Sequence, residues 1–347
     1  MIRRKGLRSI ALAGALMLGL VACSNGDSDT EEPETPTADN GEETSAEGDD
    51  GENGEAGGLI TIIVNDPSNP YWKTEGDIAS AKAEELGYEA TVGAHNGDAN
   101  KENNLVDTAI SNESVALIMD PADADGSVAA VQKAMDADIP VFLVNAEINE
   151  SGVALAQLVS DNAQGAALGA QHWVELMEEE GDYVELFGLP SDNNAQTRSN
   201  GYTTVIDQYP DLEKGGEEVA DWDRTKGHDK MQSLMQANPN IDGVISGNDE
   251  MALGAIAALK EANAFDDIVV GGFDGSPDAI ESIKAGELAY TVLQPVAVFS
   301  EKAIEMADEY IRTGEAPEEE KQSFDCILIT EDNIDQMVGD FIFDEDA

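Results

Sequence analysis

The chain has 347 residues, of which 72 are Asp or Glu and only 18 are Lys or Arg, so its formal net charge at pH 7 is −54. Such an excess of carboxylates repels phosphate groups, which excludes nucleic acid and anionic membrane surfaces as electrostatic partners. The excess suits a saline medium, in which dissolved ions screen the repulsion between acidic groups.

Residues 1–22 have the pattern of a bacterial lipoprotein signal peptide. Four basic residues among the first eight precede an apolar run from Ile10 to Ala22, which is too short to span a bilayer as a permanent helix. The run ends in LVAC, which resembles the lipobox motif whose Cys becomes the lipidated N-terminus. We therefore expect Cys23 to anchor the mature protein to the extracytoplasmic face of the bacterial cell membrane.

Residues 23–58 form an acidic segment with very few apolar side chains. The stretch from Ser24 to Gly58 contains 13 acidic residues and cannot bury enough apolar surface to offset the entropy lost on ordering. We interpret it as a disordered tether. Residues 59–347 then hold 59 acidic and 14 basic residues, a net charge of about −45 on the part that should fold.

Residues 59–347 alternate short apolar runs with amphipathic stretches. The runs typical of strands are LITIIVND, EATVGAH, VALIMDP, PVFLVNAE, ALAQLVSDN, YVELFGLP, GVISGND, DIVVGGFDG and AYTVLQP. Helical patterns such as GSVAAVQKAMDA and MALGAIAALKEA separate most of them. This alternation predicts an α/β fold of doubly wound parallel sheets with helices on both faces. The length predicts two lobes of similar size.

Polar side chains follow these strands at the points where the next helices should begin. They are Asn65 and Asp66, Asp120, Asn145, Asn248, Asp274 and Gln294. Because ligands of open parallel sheets bind beyond the carboxyl ends of the strands, we predict one shared ligand cleft. Each residue has a structural alternative, since Asn248 can cap a helix and Asp274 can serve the GFDG turn. We expect Asn248 to face the ligand and Asp249 to support the start of its helix.

The sequence contains no motif for bond-making chemistry. It has no phosphate-binding GxxxxGK[ST] loop, no GxGxxG and no GxSxG. His95, His172 and His228 lack the spacing of metal ligands. Cys326 lies in the strand-like run FDCILIT, where we expect a small core residue. We therefore predict no enzyme activity, no cofactor and no metal.

Six ordered segments resemble the ribose-type periplasmic binding proteins of sugar ABC importers. They are NPYW, DPADADG, SDNAQGAALG, DWDRTKG, GNDEMALGAIAALK and GGFDGSPD, and the similarity extends over residues 59–347. The resemblance implies the type I fold, in which a three-strand hinge joins two lobes. It places the crossings near Ser160-Asp161, Gln294-Pro295 and Asp325-Cys326. The N-terminal lobe would then comprise residues 59–160 plus 295–325, and the C-terminal lobe residues 161–294 plus 326–347.

The resemblance also implies which side chains contact a sugar. Matching positions supply amides, a carboxylate, an arginine and aromatic rings: Asn69, Tyr71, Trp72, Arg198, Trp222, Asn248, Asp274 and Gln294. The rings suit the apolar faces of a sugar and the polar groups suit its hydroxyls. Tyr71 and Trp72 have an alternative as core aromatics at a helix start.

The chain departs from the ribose-type pattern at two predicted site positions. Asn145-Ala146 replaces an Asp-Arg pair, and Asp120 replaces an amide. Two carboxylates, Asp120 and Asp274, against one arginine, Arg198, favour a neutral, hydroxyl-rich ligand of about four to six carbons, and we rank acyclic sugar alcohols at least as high as pentoses. We expect a monomer that delivers this ligand to an ABC permease.

Three rival functions share parts of this pattern. A receptor module for sugar sensing or chemotaxis remains the alternative, because the fold alone does not separate it from a transport protein. A regulator of the lactose-repressor type would need a DNA-reading headpiece, and the export signal and acidic tether occupy that place. A carbohydrate enzyme would need a general acid/base pair, for which the sequence offers no convincing candidates.

Overall fold

A computed structural model describes residues 57–347. The predicted signal peptide, Cys23 and the acidic segment up to residue 56 lie outside the described residues. Within 57–347 the strands in chain order are β1 (Leu59–Val64), β2 (Glu89–Ala94), β3 (Ala116–Met119), β4 (Val141–Val144), β5 (Ala156–Ser160), β6 (Glu180–Phe187), β7 (Asp211–Val219), β8 (Gly243–Ser246), β9 (Val269–Gly271), β10 (Thr291–Leu293), β11 (Lys321–Phe324), β12 (Ile327–Ile329), β13 (Met337–Gly339) and β14 (Ile342–Phe343).

Most of the parallel strands are connected by helices, as the alternation predicts. In chain order the described helices are α1 (Pro70–Glu85), α2 (Ala99–Ser111), α3 (Val128–Met135), α4 (Asn162–Leu176), α5 (Asn193–Ile206), α6 (Arg224–Ala237), α7 (Asp249–Glu261), α8 (Pro277–Lys284) and α9 (Val296–Thr313).

The first lobe is built on a six-stranded parallel sheet in the order β11-β5-β4-β3-β1-β2. Alternate residues of β1 enter two different cores: Ile62 and Val64 pack in the cluster that contains α1 and α9, whereas Ile63 packs in the cluster that contains α2 and α3. Because helices cover both faces of the sheet, its central strands β3 and β4 are apolar without interruption.

The second lobe contains the parallel sheet β7-β6-β8-β9 with α4 to α8 around it. Single parallel bridges continue this sheet from the β9 segment to the β10 segment, and β10 pairs antiparallel with β12. The chain passes between the lobes three times, between β5 and α4, between β10 and α9, and between β11 and β12.

Three parts of the described chain differ from the sequence expectation. The run FDCILIT is not one strand, because Phe324 ends β11 in the first lobe and Ile327 begins β12 in the second. Cys326 lies between them and is buried, so its expected place in the core is confirmed. Strand β7 was not predicted, because its sequence DLEKGGEEV is an exposed edge strand without an apolar pattern. The hairpin of β13 and β14 was also not predicted.

Candidate functional site

A small cavity of about 20 Å³ lies between the carboxyl ends of the strands of the two lobes. Nine of the eleven residues predicted for the ligand site line it, and Asp192 and Asn194 line it as well. The predicted residues in the lining are Asn69, Tyr71, Trp72, Asn145, Arg198, Trp222, Asn248, Asp274 and Gln294.

The first turn of α1 supplies the aromatic wall of the first lobe. Asn69 caps the helix, its Oδ1 accepting a hydrogen bond from the backbone N of Tyr71 at 2.9 Å, and Pro70 occupies the first helical position. This start places Tyr71 and Trp72 in the cavity wall, with 2% and 8% of their surfaces exposed. The rings therefore belong to the core and to the cavity at once.

Asn145 forms the polar part of the same wall. Its Oδ1 accepts a hydrogen bond from the Tyr71 hydroxyl at 3.0 Å, and its Nδ2 donates to Asp120 Oδ2 at 2.9 Å. Asp120 is buried behind Asn145 and does not line the cavity. Burial raises the pKa of Asp120 well above its usual value, although the Asn145 hydrogen bond opposes this shift. Asp120 thus orients Asn145.

The second lobe contributes a buried ion pair. Arg198 on α5 donates from Nε to Asn162 Oδ1 and from Nη1 to the carbonyl of Gly247, both at 2.8 Å. Its guanidinium lies 3.9 Å from the ring centroid of Phe273, and its Nη1 lies 3.4 Å from Asp274 Oδ1. These contacts fix the plane of the guanidinium at the cavity wall.

Asp274 is held by groups on both sides. Its Oδ1 accepts a hydrogen bond from Gln294 Nε2 at 2.7 Å in addition to the contact with Arg198. Burial raises the pKa of Asp274 to about 7, while the positive charge of Arg198 and the Gln294 hydrogen bond lower it. The carboxylate is therefore ionised only in part near neutral pH, and its degree of ionisation depends on the groups that occupy the cavity.

Trp222 closely approaches the backbone of Gly188, the residue that follows β6. Its φ is +64°, and a Cβ on Gly188 would lie 2.0 Å from its ring, so only glycine fits at position 188. Asn248 holds the Trp222 loop by donating from Nδ2 to the carbonyl of Trp222 at 3.3 Å. The Trp222 ring thereby lines the cavity with only 5% of its surface exposed.

Asn248 combines the two roles that its sequence context allows. Its Oδ1 caps α7 by accepting from the backbone N of Met251 at 3.0 Å, and the residue also lines the cavity. The expectation that Asp249 supports its own helix is wrong. Its carboxylate accepts from the backbone N of Ser276 and from the Thr291 hydroxyl, both at 2.7 Å, and so joins the start of α8 to β10.

Three buried polar atoms of the cavity residues have no hydrogen-bond partner within residues 57–347. They are the indole nitrogens of Trp72 and Trp222 and Oε1 of Gln294. The Trp72 indole lies near Asp120 and the Trp222 indole lies near Asp192, but neither N–H makes a hydrogen bond to protein. A buried donor without a partner is unfavourable, so these atoms favour a ligand that carries both donors and acceptors.

Asn65 is the second predicted site residue, after Asp120, that does not line this cavity. It lines a wider space of about 390 Å³ at the cleft mouth, which shares Asn69, Trp72 and Trp222 with the inner cavity. Arg224, Lys226 and several carboxylates surround this mouth. Asn65 therefore stands where a solute would enter.

Asp192 and Asn194 are the lining residues that the sequence analysis missed. Asp192 caps α5 by accepting from the backbone N of Asn194 at 2.8 Å. Asn194 accepts from Asn162 Nδ2 at 2.8 Å and donates to the carbonyl of Asn145 in the other lobe at 3.2 Å. The run SDNN after the YVELFGLP strand carried the same signal as the other strand ends.

Residues 57–347 contain neither a metal-binding cluster nor a helix suited to crossing a membrane. No group of three or more His, Cys, Asp or Glu in that range is arranged to hold a metal ion. None of the helices described there is both long and apolar enough to cross a membrane.

Comparison with known proteins gives a consistent family. Residues 60–316 match the periplasmic binding protein domain. The chain is 50% identical over 277 residues to the D-apiose import binding protein of Actinobacillus succinogenes, covering 80% of this chain and 89% of the relative. It is 32% identical over 254 residues to the ribose import binding protein of Salmonella typhimurium, covering 73% of this chain and 84% of the relative.

A solved structure matches the fold over the same length. An ABC transporter solute-binding protein of Mycobacterium smegmatis with bound glycerol has a TM-score of 0.77 at 28% identity, covering 83% of this chain and 99% of that one. The family domain, the relatives and the two-lobed fold agree. The chain belongs to the periplasmic binding protein family, as a ribose-type solute-binding protein of sugar ABC importers and not an enzyme.

Proposed function

We propose that this protein is a lipid-anchored solute-binding protein that captures a neutral pentose of the D-apiose class and delivers it to an ABC permease. One observation supports this most: the small cavity between the lobes is lined by amides, carboxylates, one arginine and aromatic rings. Its free volume of about 20 Å³ is far below the roughly 300 to 1,000 Å³ of pockets for drug-sized ligands, so the cavity walls must move apart to hold a solute. The polarity of this lining suits a monosaccharide.

The charges of the lining support a neutral ligand. Arg198 is already paired with Asp274, and Asp192 adds a second carboxylate, so no cationic group remains in excess for an anion. Ionised carboxylates accept hydrogen bonds from hydroxyls and repel phosphates and sugar acids. The relative with 50% identity is named for D-apiose, whereas the neighbour that contains glycerol keeps sugar alcohols as rival ligands.

Closure of the two lobes is the proposed mechanism of capture. We place the hinge at the three crossings, so that residues 59–160 plus 295–325 move against residues 161–294 plus 326–347. Asn194 of the second lobe donates to Asn145 of the first, and the backbone N of Ala124 donates to the carbonyl of Ser191 at 2.9 Å. A ligand that contacts both walls adds to these bonds and shifts the equilibrium toward the closed form.

The proposal also includes a lipid anchor at Cys23 and an ABC permease as the partner. Cys23 would carry the lipid at the extracytoplasmic face, and the protein would act as a monomer. Expression of Cys23→Ser should move the protein from the membrane fraction to the medium, whereas retention on the membrane would exclude this anchor. A receptor module for sensing is the alternative, and adjacent permease and ATPase genes would favour transport.

Titration calorimetry against a solute panel tests the ligand. The panel should contain D-apiose, other aldopentoses, aldohexoses, tetritols, pentitols, inositol, sugar acids and sugar phosphates. We expect micromolar or tighter binding of D-apiose and weaker binding of the acids and phosphates. Binding confined to a charged sugar would contradict the charge argument. A polyol preferred over every pentose would replace the apiose assignment and retain the neutral class.

A further inference from the structure

The C-terminal hairpin carries an aromatic residue at an unusual position. Strands β13 and β14 pair antiparallel, with Met337 opposite Phe343 and Gly339 opposite Ile342, so Asp340 and Phe341 form the turn. Phe341 has a φ of +58°. This left-handed conformation disfavours bulky side chains, and turns that need it usually contain Gly or Asn.

Phe341 is buried although it lies at the tip of a turn. Only 2% of its surface is exposed, whereas Val338 and Ile342 on the same hairpin are 57% and 45% exposed. The hairpin therefore turns the Phe341 ring inward and leaves Val338 and Ile342 in solvent, while Met337 and Phe343 are partly buried against the core. Backbone strain combined with burial of a single ring indicates that the ring has a specific contact.

The contact of Phe341 is the aromatic wall of the ligand cavity. Its ring lies edge-to-face against Tyr71, with centroids 5.7 Å apart and planes at 86°. Tyr71 in turn lines the cavity and donates its hydroxyl to Asn145. Phe341 itself is not among the residues that line the cavity, so it touches the ligand wall from behind.

The hairpin also lies against the second lobe. A separate space is lined on one side by Gly275, Pro277 and Ile280 and on the other by residues 337–341. Gly275 directly follows Asp274, the carboxylate of the opposite cavity wall. The hairpin thus lies between the loop that carries Asp274 and the helix start that carries Tyr71.

We propose that Phe341 is a positioning residue for ligand binding, which holds the Tyr71 ring and, through its hydroxyl, Asn145 in the geometry that the ligand requires. This inference rests on the proposed function, because it assigns the hairpin to the same ligand site. The edge-to-face contact restricts rotation of the Tyr71 ring, so the ring loses less conformational entropy when the ligand binds.

Three substitutions test the role of Phe341. Phe341→Leu keeps an apolar side chain on the hairpin but removes the ring, Phe341→Tyr keeps the ring, and Val338→Ala alters an exposed residue of the same hairpin as the control. We expect Phe341→Leu to weaken affinity for the best ligand of the panel by about fivefold to tenfold, which corresponds to about 1 to 1.4 kcal/mol. Phe341→Tyr should bind within about twofold of the parent and Val338→Ala should match it.

Hydrogen exchange provides a readout that needs no known ligand. The amides at the start of α1 should exchange faster in Phe341→Leu than in the parent, because their packing partner is lost, and should be unchanged in Val338→Ala. A panel without any binder would overturn the proposed function, and this exchange comparison would still test the inference. Parent-like affinity in Phe341→Leu, or unchanged exchange at the start of α1, would overturn the positioning role.

Discussion

Replacement of Asp274 by Asn should separate ligand affinity from protein stability. The side chain keeps its size and its Oδ1, so the hydrogen bond from Gln294 Nε2 can remain. The variant loses the negative charge that lies 3.4 Å from Arg198 and the ability of both oxygens to accept hydrogen bonds. We expect weaker binding without a loss of folding stability.

The raised pKa of Asp274 sets the expected change in stability. Burial raises this pKa from 3.8 in the unfolded chain to about 7 in the folded protein, even with Arg198 beside it. Protonated Asp274 therefore favours the folded state. This contribution to the free energy of unfolding is fully present below about pH 4 and is lost as the pH rises to 7. A shift of about three units corresponds to roughly 4 kcal/mol. Asn has no such penalty, so Asp274→Asn should be at least as stable as the parent at pH 7.

The expected loss of affinity follows from the hydrogen bonds that the carboxylate can make. A hydrogen bond to a charged group contributes about 1.5 to 3 kcal/mol, so one ligand hydroxyl left without its acceptor should weaken binding about 10- to 150-fold. Titration calorimetry at pH 8, where most of Asp274 is ionised, measures the affinity. Urea unfolding without ligand at pH 4 and pH 7 measures the stability.

Asp278→Asn is the matched control. Asp278 is also paired with an arginine, Arg224, at 2.7 Å, but its side chain is 57% exposed. Surface pairs contribute about 0 to 1 kcal/mol, so neither affinity nor stability should change by more than that. If Asp274→Asn binds within threefold of the parent, or unfolds more easily by about 2 kcal/mol at pH 7, the reasoning is refuted.

Three further predictions concern burial, closure and charge. Glu75 is buried, and neither of its carboxylate oxygens has a hydrogen-bond partner within residues 57–347. Burial and the charge of Asp120 raise its pKa well above 4.5. Glu75→Gln should therefore increase stability to urea at pH 7 but not at pH 4. Equal gains at both pH values would contradict this. Asn194→Ala removes the hydrogen bond to the carbonyl of Asn145 in the other lobe. At subsaturating ligand the variant should therefore have a larger radius of gyration by small-angle scattering than the parent. The same radius as the parent at each ligand concentration would count against closure through this bond. The melting temperature should rise from dilute buffer to molar sodium chloride because salt screens the acidic surface, and a flat profile would remove the charge argument.

The amino-acid sequence determined the class of fold and most of the ligand wall. Alternating apolar strands and amphipathic helices specify parallel sheets by their periodicity, which local sequence records directly. Polar residues at the strand ends then meet at the cleft because parallel strands share a direction. Four residues at such strand ends accordingly lie in the lining of the cavity: Asn145, Asn248, Asp274 and Gln294.

Only the tertiary structure decided which carboxylates face the cavity. Asp120 and Asp192 both follow strands, but Asp120 lies behind Asn145 while Asp192 lines the cavity at the N-terminus of α5. Residue type gives no information on the direction in which a loop turns its side chain, because that direction depends on the backbone dihedrals of the loop. The same limit applies to Asp249, whose hydrogen bonds reach Ser276 and Thr291.

The C-terminal hairpin depends most on tertiary structure. Its sequence MVGDFIF contains several apolar residues, and nothing in their order distinguishes the exposed Val338 from the buried Phe341. The contact of Phe341 with Tyr71 joins residues that are remote in the chain, and no local periodicity records such a pair. The sequence determined the strand ends that form the cavity, and long-range packing decided which distant residue supports its wall, because that support depends on the distance between two elements after folding.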